Sequence, residues 1–267
     1  LNRTIYLPKK KMSTIIELLR KHRHSPTISE NDLEKIHGKL QWASVVVPLG
    51  KPLLGPIIKY MKKAKRSHDN TIPMDDELKG IFLSWNALIK MAGHQPIHME
   101  QLIQQSSSSY EGFVDASGWG VGGVWFPKDD PMEPFCWYID WPQDIRAQLC
   151  TSTNRSGSLT ISDLELAGIF LHFLTLELAL PKNKLEHKTV NIWCNNLPAV
   201  VWTHKMRSCN SKVASRILQA FAERLYKTKA SLPNIDHIEG IYNIMADVCS
   251  RKHSTCLLYT SDAADDA

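Results

Sequence analysis

Residues 110–126 read YEGFVDASGWGVGGVWF. Apolar and aromatic runs flank a central Ala-Ser-Gly, a pattern that predicts two β-strands joined by a tight turn. The strand-like Gly-Phe-Val before Asp115 makes a turn less natural at that residue. We therefore expect Asp115 to lie within the first strand of a sheet.

The hydrophobic pattern after this stretch gives the element order β-β-β-α-β-α-β-α. Strands are predicted at 110–116, 120–126, 134–139, 188–194 and 232–238, and helices at 162–179, at roughly 196–228 and from about 243. Turns containing Gly and Pro join the first three strands, so these predict an antiparallel meander. The later strands alternate with helices. We expect an α/β fold, with a mixed five-stranded sheet and helices on its faces.

Three carboxylates and one amide stand out in this part of the chain. Asp115, Glu165 and Asp247 occur in that order, and Asn195 follows the fourth predicted strand. A two-metal nuclease needs several carboxylates around two ions roughly 3.5–4 Å apart, because Mg²⁺ requires oxygen ligands. We expect the four side chains to converge on a site for Mg²⁺, with Mn²⁺ as an alternative. Asn195 brings no negative charge, so the pattern also predicts impaired activity.

Each acidic residue also has a structural interpretation. Glu165 could close a capping box with Ser162 at the start of a helix. Asp115 could form a turn, and Asp247 could be an exposed helical acid. The occurrence of all three in this order favours the catalytic interpretation over three unrelated structural ones.

Residues 1–91 show a helical period instead. Helices are predicted at 13–22, 29–47, 57–65 and 75–91, and Ser29 is the expected N-cap of the second, with Asp32 three positions later. Prolines and glycines between 48 and 56 break the pattern. We expect a small all-α unit, separated from the sheet by the serine-rich residues 104–109.

Charge and composition narrow the classes of function. The chain has 267 residues, 43% of them hydrophobic, and a formal net charge of +5. Residues 1–70 hold fifteen Lys and Arg against five acidic residues, which favours a polyanionic partner, with a solvated basic surface as the alternative. The longest apolar run, 166–176, is too short to cross a membrane. Six cysteines without metal or disulfide spacing, and no visible leader, predict a cytoplasmic or nuclear location.

Four motifs in this order resemble those of retrotransposon ribonuclease H domains. They are residues 113–124 for the opening motif, Asp163-Leu164-Glu165-Leu166 for the helix motif, residues 194–200 (CNNLPAV) for the third, and His237-Ile238-Glu239-Gly240 with Asn243, Ala246-Asp247 and Ser250-Arg251 for the closing motif. The third motif has Asp followed by Asn in the family, where this chain has Asn195 and Asn196. The resemblance covers about residues 110–252.

This resemblance implies a domain that binds RNA–DNA hybrid and hydrolyses the RNA strand to leave a 3′-hydroxyl. It implies that Asp115, Glu165 and Asp247 are the catalytic metal ligands and that Asn195 is a degenerate ligand position. An amide offers only a neutral oxygen, so metal affinity should fall by at least about 10–100-fold. We also expect Asn195 to act as the N-cap of the following helix.

Residues 38–44, GKLQWAS, resemble the thumb helix of retroviral and retrotransposon reverse transcriptases, which follows the minor groove of the template–primer duplex. The resemblance implies nucleic-acid contacts from Gly38, Lys39, Gln41 and Trp42. Gly38 would let the helix backbone approach the duplex closely, and Lys39 would pair with a phosphate. Gln41 would form a hydrogen bond in the groove, and Trp42 would pack its flat ring against the sugars. The alternative is that Leu40 and Trp42 are ordinary core residues.

Together the resemblances imply the C-terminal part of a retrotransposon reverse transcriptase, with the polymerase palm and fingers upstream. The expected domains are a thumb at 1–66, a helical connection and serine-rich linker at 67–109, a ribonuclease H-like domain at 110–252 and a tail at 253–267. Residues 256–267 resemble a translated sequencing adapter and are left out of the fold prediction. The main alternative is a non-catalytic hybrid-binding module, and a transposase or integrase core of the same fold is a third possibility.

Overall fold

The computed structural model describes residues 4–94, 97–98, 108–128, 133–182, 184–186, 188–208 and 211–251. The chain forms two compact units, one of residues 1–104 and 205–226, the other of residues 105–204 and 227–267. Residues 205–226, which lie within the predicted ribonuclease H-like range, thus belong to the first unit. The predicted tail at 253–267 and most of the serine-rich segment fall outside the described residues.

The first unit is built mainly from helices. These are α1 (Lys9–Arg23), α2 (Glu30–Ala43), α3 (Leu54–Lys65), α4 (Asp76–His94) and most of α8 (Lys212–Thr228), with a 3-10 helix at Pro48–Leu53. The unit also contains two short pairs of antiparallel strands. In these, β1 (Thr4–Ile5) pairs with β4 (Ile97–His98), and β2 (Thr27–Ser29) pairs with β3 (Thr71–Pro73). The sequence did not predict these pairs, because strands of two or three residues are too short to produce a periodic pattern.

Helix α2 illustrates how the sequence specifies this unit. The hydroxyl oxygen of Ser29 accepts a hydrogen bond from the backbone N–H of Asp32 at 3.1 Å, so Ser29 is the N-cap that the sequence predicts. Leu33, Ile36 and Leu40 recur at helical spacing and are fully buried in the core. Burial of such side chains contributes roughly 1.5–3 kcal/mol each. This apolar stripe fixes which face of α2 is left to solvent.

The second unit contains a mixed sheet. Its strands are β5 (Tyr110–Ala116), β6 (Gly120–Pro127), β7 (Phe135–Asp140), β8 (Val190–Cys194) and β9 (Asn234–His237). They lie in the order β7-β6-β5-β8-β9. The first three form an antiparallel meander, whereas β5 pairs with β8, and β8 with β9, in parallel. This five-stranded arrangement is the ribonuclease H-like fold, so the predicted fold class is confirmed.

Helices accompany the sheet on both faces. They are α5 (Gln143–Ala147), α6 (Ile161–Ala179), α7 (Leu197–Lys205) and α9 (Ile244–Ser250), the last preceded by a 3-10 helix at Gly240–Tyr242. A Cβ on Gly168 of α6 would lie 3.0 Å from Val121, and a Cβ on Gly122 would lie 2.7 Å from the Cβ of Cys249 in α9. Adjacent strand residues point to opposite faces, so α6 and α9 cover opposite sides of β6.

Candidate functional site

Asp115 lies near the carboxyl end of β5 and is 4% exposed. Its carboxylate accepts hydrogen bonds from the hydroxyl of Ser250 and from the side-chain amide of Asn195. Burial raises the pKa of Asp115, the bond from Ser250 opposes that increase, and the charge of Asp247 adds to it. Asp115 is therefore a buried carboxylate among polar neighbours and not a turn former.

Asn195 follows β8 directly, and the sheet sets its position. Val114 of β5 lies opposite Cys194 of β8 in parallel register, so Asp115 and Asn195 come next along the two strands. The carboxyl ends of parallel neighbours meet at one edge of the sheet, which brings the two side chains together. The amide of Asn195 donates to Asp115, while no group among the described residues bonds its buried Oδ1.

The expected capping role of Asn195 is wrong. Helix α7 starts at Leu197, and its capping bond runs from the backbone N–H of Ala199 to Oδ1 of Asn196 at 3.1 Å. Asn196, the residue directly before the first residue of the helix, thus takes the N-cap position.

Glu165 lies on the second turn of α6, and it does not cap that helix. The capping box at this end pairs Thr160 with Asp163, each bonding to the other's backbone N–H. The alternative pairing of Glu165 with Ser162 is therefore wrong. Glu165 is left free to point toward the ends of β5 and β8.

The surroundings of Glu165 favour its protonated form. Its carboxyl is 4% exposed and accepts hydrogen bonds from the backbone N–H of Ala116 and, at 3.8 Å, from the thiol of Cys194. Burial raises the pKa of Glu165 to about 9, and the charge of Asp115 contributes to the increase. Glu165 therefore carries a proton at neutral pH while no cation is bound.

Asp247 lies in α9, and its side chain is 28% exposed. Its Oδ1 is 2.7 Å from Nη2 of Arg251, one helical turn later. The charge of Asp247 raises the pKa of Asp115, so the two carboxylates are close enough to interact. Asp247 is thus part of the same group as Asp115 and not an isolated helical acid.

Two further hydrogen bonds hold α9 beside β5. The hydroxyl of Ser117 donates to the backbone oxygen of Ser250 at 2.9 Å, and Nδ2 of Asn243 donates to the backbone oxygen of Val114 at 3.0 Å. Sequence reasoning assigned no role to Ser117, although it stands two residues after Asp115 in the quoted stretch. These bonds fix the distance between the strand and helix that carry Asp115 and Asp247.

The donor atoms suit a hard divalent cation only in part. Every candidate ligand is an oxygen, and Oδ1 of Asn195 is buried without a partner in the described chain, as expected for groups that would hold Mg²⁺. The carboxylates, however, are engaged by Ser250, Asn195 and Arg251. Within the described ranges no group of three His, Cys, Asp or Glu side chains could hold a metal ion. The chemistry fits, but the count of converging carboxylates falls short.

A second candidate surface lies on α2, in the first unit. Gly38, Lys39, Gln41 and Trp42 are all exposed, and Trp42 shows 47% of its surface. Leu40 is fully buried. The core interpretation therefore holds for Leu40 and fails for Trp42, because the two residues lie on different sides of one helix. A Cβ on Gly38 would meet nothing within 4 Å, so the backbone is open to a ligand at this point.

Exposed cations occur on two other helices of the first unit. Residues 9–11 at the start of α1 are all exposed lysines. Helix α3 carries four more, Lys59, Lys62, Lys63 and Lys65, opposite its buried Ile57 and Tyr60. These four lysines give α3 a basic face.

The order and directions of the strands define the second unit as a ribonuclease H-like fold. No family model and no curated protein matches the sequence. Two solved structures of a foamy viral protease–reverse transcriptase, both with double-stranded DNA, are similar to the chain. One is 12% identical, with a TM-score of 0.31, over 88% of this chain and 42% of that one. The other, described as the dRH form, is 15% identical, with a TM-score of 0.30, over 87% and 35%.

The chain thus spans less than half the length of either of these structures. In the described part of the chain, every helix is too short or too polar to cross a bilayer.

Proposed function

We propose that the chain is part of a retrotransposon reverse transcriptase, that it binds RNA–DNA hybrid, and that its ribonuclease H-like unit hydrolyses the RNA strand poorly because residue 195 is an amide. The observation that supports this proposal is that Glu165, Asn195 and Asp247, which come from separate segments of the chain, each interact with Asp115 at the end of β5. A structural role for each residue alone would not require this convergence.

Impairment follows from the charges of these groups. Mg²⁺ or Mn²⁺ would activate water and stabilise the leaving oxygen in such a site. To hold such an ion, Asp115, Glu165 and Asp247 would have to converge more closely than they do in this structure. Asn195 contributes a neutral oxygen where a fourth charge is needed. Glu165 must also lose its proton, and Asp247 must release Arg251, before either carboxylate can act as a ligand.

Binding of the duplex is assigned mainly to the first unit. Its exposed lysines on α1 and α3 would displace counterions from phosphates, an effect that does not depend on base sequence. The exposed stripe on α2, with Lys39 and Trp42, offers a cation and a flat ring to the sugar–phosphate backbone. This combination suits an A-form-like duplex, whose shallow minor groove is read by shape.

A second candidate function is a non-catalytic hybrid-binding module. It is favoured by the ion pair of Asp247 with Arg251 at 2.7 Å and by the bond from Asn195 to Asp115. These contacts give Asp247 and Asp115 polar partners without a metal ion.

Both functions can be tested on the full chain with one labelled RNA–DNA hybrid. Fluorescence anisotropy in EDTA should report binding that is tighter for the hybrid than for single-stranded RNA of the same sequence. Gel analysis in Mg²⁺ or Mn²⁺ should then show slow cleavage confined to the RNA strand. Equal binding of both nucleic acids would contradict the duplex assignment, and normal binding with no cleavage in either cation would support the second candidate.

A further inference from the structure

Two cysteines that are distant in sequence meet in the second unit. Cys136 lies on the edge strand β7, and Cys249 lies on α9. Burial raises the pKa of Cys249 to about 11, and the neighbouring thiol of Cys136 adds to the increase, so the two thiols are close enough to interact. Neither cysteine is in a disulfide. Neither residue belongs to the carboxylate group, so the proposed function does not account for their pairing.

The sheet explains why the two thiols meet. On β6, Gly122 lies opposite Tyr138 and Val124 lies opposite Cys136, so all four residues share one face of the sheet. Gly122 has no side chain, so the backbone of α9 can pack directly against β6. A Cβ added to Gly122 would lie only 2.6 Å from the carbonyl carbon of Cys249. This close approach brings Cys249 down onto the neighbouring strand beside Cys136.

The pair is also open to reagents. Cys136 is exposed, so a small oxidant can reach its thiol. Cys249 is half-buried, and its thiol can then react with the oxidised sulfur of Cys136. The other described cysteines differ. Cys194 is buried against Glu165. Cys150 is exposed, and its thiol donates to the backbone oxygen of Arg155.

We propose that Cys136 and Cys249 form an oxidation site that closes to a disulfide in the presence of hydrogen peroxide. The sulfur of Cys136 attacks the peroxide, the O–O bond breaks, and Cys136 becomes a sulfenic acid as water leaves. The sulfur of Cys249 then attacks that of Cys136, the S–S bond forms, and hydroxide leaves and takes up the thiol proton. Two thiols and one hydrogen peroxide thus give one disulfide and two waters.

Closure ties the helix that carries Asp247 to the edge of the sheet. Ser250 on the same helix already bonds Asp115, so the cross-link would reinforce an existing arrangement of α9 and not create a new one. It joins segments far apart in the chain, and a long closed loop gives a large loss of entropy in the unfolded state. The oxidised protein should therefore resist unfolding better than the reduced protein.

The test uses the reduced full chain, treated with hydrogen peroxide, blocked with iodoacetamide and digested for mass spectrometry. The wild type should yield a linked pair of peptides containing Cys136 and Cys249, lighter by two hydrogens than the sum of the free peptides. Its Tm should rise by at least about 3 °C, reversibly with reductant. The matched control Cys150→Ser should behave as the wild type.

The variants Cys136→Ser and Cys249→Ser should each lose both the linked peptide and the shift in Tm. Cys136 is exposed, so its replacement leaves the fold intact and keeps the test valid even if Cys249→Ser is unstable. Preferential linkage of either cysteine to a third one, or oxidation of Cys150 while the pair stays reduced, would overturn the proposal.

Discussion

Asn195 donates a hydrogen bond from its side-chain amide to the carboxylate of Asp115, and its own Oδ1 is buried with no partner in the described chain. A carboxylate at position 195 could not donate this bond and would repel Asp115 unless a cation lay between them. The amide therefore stabilises the cation-free arrangement. The absence of a negative charge at position 195 therefore favours a site that holds no cation.

Gly122→Ala should lower the free energy of unfolding by about 1–3 kcal/mol, because the added Cβ would overlap the backbone of Cys249. Since α9 carries Asp247, the same substitution should also disturb the carboxylate group. Denaturant titration measures the change. Gly80→Ala is the matched control. It meets nothing within 4 Å in the middle of α4, and it should raise stability by up to about 1 kcal/mol. Equal effects of the two substitutions would contradict the close packing of α9.

His172 should make the fold less stable in mild acid. It is fully buried, Trp137 donates to its Nδ1 at 2.8 Å, and burial holds the pKa of His172 well below its usual value. The unfolded chain then binds the extra proton. Stability should therefore fall as the pH drops below about 6.5, by up to 1.4 kcal/mol per pH unit.

The variant His172→Phe keeps a ring against Trp125 and should remove this component of the pH dependence. Urea unfolding between pH 7.5 and 5.5 would measure the difference between the variant and the wild type. The exposed control His68→Gln should retain the wild-type slope. An identical slope in His172→Phe would show that His172 does not titrate in this way.

Glu165 should contribute with the opposite sign. Burial raises the pKa of Glu165 to about 9, so the folded state holds a proton that the unfolded state releases above about pH 4.5. Without divalent cations, stability from this group is present at low pH and is lost as the pH rises toward 9, at up to about 1.4 kcal/mol per unit. Glu165→Gln should lose less stability as the pH rises, and it should be more stable than the wild type at pH 8. A variant that is less stable than the wild type at pH 8 would contradict the protonated state.

Trp42→Ala should weaken duplex binding without unfolding the first unit. The ring is 47% exposed, so stability should change by no more than about 0.5 kcal/mol. Lys39→Gln should lower the slope of log affinity against log salt by about one unit. Tyr6→Ala, at a residue 67% exposed on the same unit, is the control and should bind normally. Unchanged affinity in Trp42→Ala, or a melted protein, would contradict the assignment of α2.

The sequence predicts the strands and the group of carboxylates better than it predicts the helix caps. Strands β5, β6 and β8 were predicted within two residues of their ends, because alternating apolar residues bounded by Gly or Asn give a strong signal. The carboxylates could be grouped because their motifs occur in a fixed order. The predicted N-cap of α2, Ser29, is confirmed. The sequence pointed to Ser162 where the structure has Thr160, and to Asn195 where it has Asn196, because polar residues so close together cannot be ranked from sequence alone.

Other features depend on three-dimensional contacts. The bond from Ser250 to Asp115 and the meeting of Cys136 with Cys249 join distant segments, and no local period reports them. The pairing of Asp247 with Arg251 follows the i, i+4 spacing of a helix, so the residues of the closing motif themselves indicate this ion pair.

The most direct test compares cleavage of a labelled RNA–DNA hybrid by the wild type, Asn195→Asp and the double variant Asn195→Asp/Asp115→Asn. Initial rates would be measured in Mg²⁺ and in Mn²⁺ at saturating protein, with hybrid affinity in EDTA as the control for binding. Restoring the carboxylate should raise the rate by at least about 10-fold, and removing Asp115 should abolish the gain. A wild type as fast as Asn195→Asp, or a repaired protein that binds hybrid normally and cleaves nothing, would contradict an impaired ribonuclease.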